Sequence, residues 1–257
     1  KKIYPVWGVN KKNEVVATGL YYLPKLNSAQ GTYSIIFPPY LNGSPRVKSL
    51  PMDEELLAKG LEEKDSIKLV ENFRKGKEYN GRLNDEHHFV FNDKDEFTLM
   101  TQGSALFRSR LNSMSYNNDK YKYGDIYAFT WNADGSPKWS RKISLKAELL
   151  GESSLSGGYY SFYDENKNLN VIYTNFNPRK VLGQNIGMNK DVRTVLATFS
   201  PEGEVLDRIL IGDKKDAENF IPSYTKYNGN KQLIVIRIHP AAIPFKSDFS
   251  VAKISLQ

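Results

Sequence analysis

Two stretches decide the reading of this chain: Ala128-Phe129-Thr130-Trp131-Asn132-Ala133-Asp134-Gly135-Ser136-Pro137-Lys138-Trp139 and Leu196-Ala197-Thr198-Phe199-Ser200-Pro201-Glu202-Gly203-Glu204-Val205-Leu206. Each sets an apolar stretch, then a polar turn ending in an acidic residue and a glycine, then a second strand-like stretch. Glycine supplies the positive φ that a tight turn needs, and the acidic neighbour can bond the turn's backbone amides. Each stretch therefore predicts two adjacent antiparallel strands. An earlier copy runs from Tyr33–Phe37 through Asn42-Gly43-Ser44-Pro45 to Arg46-Val47.

Working outward, each glycine hairpin has a companion built on a turn rich in Asn, Asp and Lys. The companions are Ile3–Val9 with turn Asn10-Lys11-Lys12-Asn13, His88–Phe91 with turn Asn92-Asp93-Lys94-Asp95, Tyr159–Tyr163 with turn Asp164–Asn168, and Ser223–Tyr227 with turn Asn228-Gly229-Asn230. Their return strands are Glu14–Leu20, Phe97–Thr101, Leu169–Thr174 and Gln232–Ile238. Two hairpins make a four-stranded antiparallel sheet, and the unit recurs at roughly 65 to 90 residues.

Trp131–Ile143 and Phe199–Ile211 resemble the outer-strand hairpins of bacterial β-propellers, and the resemblance extends over about two thirds of the chain, from about residue 86 onward. It implies a propeller-like array of four-stranded sheets with a central or top-face binding surface, and it carries no catalytic residue. Roughly three and a half units are counted, against the roughly four to eight blades of propellers. Phe249–Leu256 reads as a lone terminal strand, so either Ile3–Val9 closes its sheet or the sequence is an incomplete part of a longer protein. The alternative arrangement of the same hairpins is a β-sandwich. Either way, residues 1–257 read as one all-β domain.

One segment breaks the pattern. Asp53–Lys75, within a helical insertion at 52–77, places Leu56, Leu57 and Leu61, then Ile67, Val70 and Phe73, at helical spacing, with Asp53 suited to cap the start. Gly60 and the run Glu62–Ser66 mark the expected break between two short helices.

Composition narrows the chemistry. The chain has no cysteine, which excludes disulfides, thiolate metal sites, a cysteine nucleophile and an N-terminal lipidated cysteine. No apolar run approaches the roughly 20 residues of a membrane-spanning helix. With abundant Lys, Asn and Tyr and dominant β-turns, the reading is a periplasmic or secreted protein of the bacterial envelope, its signal peptide already removed. The formal charge of +7 is scattered over Lys11-Lys12, Lys120–Lys122, Arg141-Lys142 and Lys214-Lys215, as solvated turns and guarded edges require, so nucleic acid is not the expected partner.

The histidines are His87, His88 and His239. Neighbours on a strand face opposite ways, so the pair cannot chelate one ion. The acidic turns at Asn92–Glu96 and Asp164–Asn168 lack calcium-loop spacing and carry lysine. Gly151–Gly158 has its glycines at the wrong offsets for a nucleophile elbow, and no phosphate or dinucleotide loop is present. No cofactor or metal is expected. Paired carboxylates from separate sheets, with Asp125 and Asp164 as candidates, would leave no local signature.

Aromatic residues and loops remain. Tyr116, Tyr121, Tyr123 and Tyr127 form one tyrosine cluster, and Tyr159, Tyr160, Phe162 and Tyr163 form another. Two connections exceed what a hairpin needs: Asn175–Arg193 and Pro240–Asp248. The candidate binding residues are accordingly Tyr121, Tyr123, Tyr160, Asn185, Met188, Ile243 and Phe245. The expected function is a non-enzymatic recognition or scaffold module, a subunit of a larger envelope assembly whose partner is another envelope protein. The alternative is a carbohydrate-active propeller enzyme or a glycan-binding protein.

Overall fold

The computed structural model describes residues 5–22, 29–77, 82–107, 120–145, 147–150, 158–176, 192–211, 219–239 and 248–256. The chain divides into two units, Lys1–Ser104 with Gly124–Ser144, and Ala105–Tyr123 with Leu145–Gln257. The regular structure of the described residues is antiparallel sheet, interrupted by two helices and short 3-10 turns, so the class is all-β, as the hairpins predict.

In the first unit, β1 (Val6–Val9), β2 (Val15–Tyr21), β3 (Gly31–Phe37) and β4 (Arg46–Pro51) pair in chain order as sheet A. Sheet B follows the same order with β5 (Arg82–Phe91), β6 (Phe97–Phe107), β7 (Lys120–Trp131) and β8 (Pro137–Ile143). A short strand, β9 (Ala147–Leu150), pairs with the start of β7, and both of these segments belong to the second unit. Period-two alternation turns Val16 and Ile36 of sheet A inward, where they meet Phe97 and Trp131 of sheet B in a fully buried cluster. Phe97 stacks on Trp131 with ring centroids 6.3 Å apart. Gly8 lies where a Cβ would stand 2.8 Å from the Phe91 ring and 2.9 Å from Phe89, so only glycine lets β1 approach those rings.

The insertion forms α1 (Glu54–Ala58) and α2 (Glu63–Arg74). Asp53 caps α1, its carboxylate accepting the Glu55 N–H at 3.0 Å. Leu56 and Leu57 are buried with Leu20, Met52, Leu99, Tyr127 and Phe129, and Leu69 and Phe73 of α2 pack over them. Full burial of each leucine contributes about 1.5–3 kcal/mol. The break sits at Gly60, whose φ is +77°. Of the run Glu62–Ser66, only Glu62 belongs to the break: it is extended at the N-cap position with no side-chain cap bond, whereas Glu63 and Asp65 lie in the first turn of α2, where negative charge suits the helix dipole.

In the second unit, β10 (Tyr159–Tyr163), β11 (Leu169–Phe176), β12 (Val192–Phe199) and β13 (Val205–Ile211) form sheet C in chain order. Sheet D is narrower. Its centre is β16 (Gln232–His239), with β14 (Asn219–Phe220) and β15 (Lys226–Tyr227) along one side and β17 (Asp248–Ser255) paired along its full length. Two expectations change here. Ser223–Tyr227 is not one strand, because Pro222 opens a 3-10 turn over Pro222–Tyr224 and leaves two residues to pair. The terminal strand is not alone, since β17 pairs with β16 from Gln232↔Ser255 to His239↔Asp248. Phe162, Ile172 and Leu196 of sheet C bury against Phe220, Leu233 and Val235 of sheet D.

Five hairpins share one turn. The first residue (Asn10, Asn92, Asn132, Asp164 or Ser200) donates its N–H to the carbonyl of the fifth, and the fourth donates back to the carbonyl of the first. The fourth residue is left-handed each time: Asn13, Asp95, Gly135, Lys167 and Gly203 have φ between 58° and 85°. At Asn10, Asn92, Asp164 and Ser200 the side-chain oxygen also accepts the N–H groups of the third and fifth residues. Two glycine hairpins and three of their polar companions are thus the same turn, whereas at Asn228-Gly229-Asn230 Gln232 donates to the Gly229 carbonyl instead. The third glycine copy departs from it, because Pro38-Pro39 begins a longer connection with a 3-10 turn over Pro39–Leu41.

Two sheets repeat a further detail. The fifth turn residue, Glu14 or Glu96, pairs with a basic residue at the start of the fourth strand, Arg46 or Lys138, each at 2.8 Å. Burial opposes the charge on Glu96, but the hydrogen bonds from Lys138 and Asn92 and the Lys138 charge outweigh it and hold the carboxyl below the ordinary glutamate range. Glu14 is lowered in the same balance by Asn10 and Arg46.

Candidate functional site

Among the sequence-derived candidates, the side chains of Tyr123 and Tyr160 are described. Tyr121 and Tyr123 lie on β7, paired with Leu149 and Ala147, and Tyr123 is half-buried. The Tyr121 side chain and all of Asn185, Met188, Ile243 and Phe245 lie outside the described residues. Tyr160 has a packing role: its hydroxyl accepts the Tyr227 N–H at 3.0 Å and its ring stacks on Phe162.

The two candidate carboxylates are engaged as well. Asp125 is buried 3.3 Å from the Lys142 ammonium, which also donates to the Leu57 carbonyl of α1. Asp164 caps its turn and accepts from Asn168 and Asn170. His87 and His88 pair with Thr101 and Met100 on opposite faces of β5. Among the described residues, no three His, Cys, Asp or Glu side chains are grouped as a metal site requires. No helix among them is long and apolar enough to cross a membrane.

What stands out is the outer face of sheet A. Register places Trp7, Ala17, Ile35 and Val47 in one row across the four strands, Val9, Val15 and Phe37 in the next, and Gly19, Tyr33 and Ser49 in a third. Among the described residues, this face carries no charged side chain. Trp7 is 68% exposed, Val9 54% and Val47 59%, and Val15, Ala17, Tyr21, Tyr33, Ile35 and Phe37 are half-buried. The opposite face of the same strands carries the buried Val16, Leu20 and Ile36. The sheet is therefore apolar on both faces, while only one is covered by its own unit.

Two tyrosines shape the exposed side. Tyr33 stands directly opposite Gly19, and Tyr21 opposite Gly31. A Cβ on Gly19 would meet the Tyr33 hydroxyl at 3.0 Å, and one on Gly31 would meet the Tyr21 ring at 2.5 Å. Each glycine therefore makes room for the ring across from it. Both rings border a shallow groove of about 650 Å³ with Pro5, Ile35, Val47 and Ser49. Burial pushes both phenols up, so they are protonated at neutral pH and can donate a hydrogen bond. Sequence reading passes over Tyr21 and Tyr33 because the signal lies in the cross-strand Gly–Tyr pairing, which requires the register.

Comparison with known proteins finds no family model and no curated protein that matches this chain.

Proposed function

We propose that this protein is a non-enzymatic recognition or scaffold subunit of a larger assembly in the bacterial envelope, exported and built as a propeller-like array of sheets. The observation that carries this is the outer face of sheet A. A wide, uncharged apolar surface exposed to water is uncommon on a protein that works alone, and it marks a place where another protein docks. Three consecutive meander sheets whose hairpins share one turn support the propeller arrangement. The structural duties of Asp125, Asp164 and Tyr160 favour docking over catalysis.

The test is site-specific photo-crosslinking in the native envelope. A photoreactive residue at Val47 is expected to give a discrete adduct, and one at exposed Lys64 on α2 is expected to give none. Equal labelling from both positions would overturn the docking reading.

A second reading, a glycan-binding protein, is favoured by the Tyr21–Tyr33 groove, which combines aromatic rings with three hydroxyl tips and no charge. Calorimetric titration with neutral oligosaccharides tests it. Tyr33→Ala is expected to reduce binding at least tenfold, and absence of heat from the unaltered protein would remove the reading.

A further inference from the structure

The last sheet also carries an exposed apolar face, and its chemistry is different. Register sets Lys226, Ile234 and Lys253 in one row and Ile236 with Val251 in the next, with Phe249 further along the same side of β17. Val251 is 71% exposed, Phe249 58% and Ile234 38%, and both lysines are exposed. The other face of the sheet is the buried one, holding Leu233 and Val235.

We infer that the outer face of sheet A receives the outer face of sheet D from a second copy of this chain, head to tail. This rests on the docking reading above and names the partner. Three observations choose this occupant. First, sheets in this protein already pack face to face by the same means, A on B and C on D, so each exposed face offers what a buried one offers. Second, two D faces meeting each other would bring lysines together, whereas the A face has no charge to oppose them and presents Trp7, Tyr21 and Tyr33 rings, whose faces attract cations. Third, the size fits a weak specific contact. A face three strands wide with eight-residue central strands has a planar footprint of about 400 Å², taking ~4.8 Å between strands and ~3.4 Å per residue. Two such faces together cover about 800 Å² before side-chain relief is added, the size of a weak, transient contact.

A contact between unlike faces leaves one of each free, so copies can continue to add into a ring or filament. Association is further expected to strengthen with salt, because screening reduces repulsion between copies of net charge +7 while apolar burial persists.

Sedimentation of the purified chain over a micromolar range tests this. The unaltered protein is expected to self-associate, whereas Val47→Glu alone and Val251→Glu alone remain monomeric. Mixed one to one, these two variants are expected to form a complex of twice the monomer mass, because each retains the face the other has lost. Self-association by Val251→Glu alone would overturn the proposal in favour of like faces meeting, and a monomer at every concentration would overturn it outright. The docking reading falls separately, if Val47 also gives no specific adduct in the envelope.

Discussion

Asn92 shows how much one side chain does in this fold. It is buried, and its amide oxygen accepts the N–H groups of Lys94 and Glu96 while its amide nitrogen donates to the Glu96 carboxylate. Asn92→Ala removes all three bonds and is expected to cost about 1–2 kcal/mol in denaturant unfolding, as loss of a comparable helix cap does. Lys167 bears the reverse burden: a lysine with φ of +66° at a position that suits glycine. Lys167→Gly is expected to stabilise by about 0.5–1 kcal/mol, and an unchanged midpoint would show that the turn is not strained there. His88 sets a pH dependence. Burial first, and the His87 charge second, lower its pKa from 6.5. The folded state then binds the proton less readily than the unfolded one. Its contribution is complete above 6.5 and is lost as pH falls from there toward the folded value. Unfolding free energy should therefore decline between pH 7 and pH 5, and His88→Asn should flatten that slope.

The elements show what the sequence can reveal. Paired strands follow from alternating apolar residues around Asn, Asp and Gly, and the start of α1 from Asp53, because these signals are local. The unity of the turns is less visible. Glycine at the fourth position draws the eye in Gly135 and Gly203, yet Asn13, Asp95 and Lys167 adopt the same conformation, and the shared feature is the polar first residue. Sheet D was misread at β15 because Pro222 diverts a segment whose composition suits a strand. The buried lysine is also invisible in sequence, since Lys142 sits in a run that looks like an exposed edge. It joins β8 to β7 through Asp125 and to α1 through the Leu57 carbonyl. Lys142→Ala removes the ammonium that faces a buried carboxylate and is expected to cost about 3–5 kcal/mol. Faster amide exchange over residues 54–58 should accompany it. Replacing both partners, as Lys142→Met with Asp125→Leu, should recover most of that loss, and no recovery would mean that the pair is required for more than charge balance.

At the scale of the molecule, the sequence identifies the apolar strands but not which sheet faces remain uncovered. Alternation in β2 and β3 places Val16 and Ile36 on one face and Ala17 and Ile35 on the other, all apolar, so composition alone would bury both. The candidate site on these strands, at Trp7, Tyr21, Tyr33 and Val47, is therefore legible only once the register is known. This face is expected to be covered when the protein is in its native assembly. Hydroxyl-radical footprinting of Trp7 and Tyr33 measures that directly, comparing the protein in the intact envelope with the dilute purified chain. Strong protection of both residues in the envelope, with Tyr40 on the surface (95% exposed) labelled equally in both samples, is the predicted result. Equal labelling of Trp7 and Tyr33 in the two samples would contradict it.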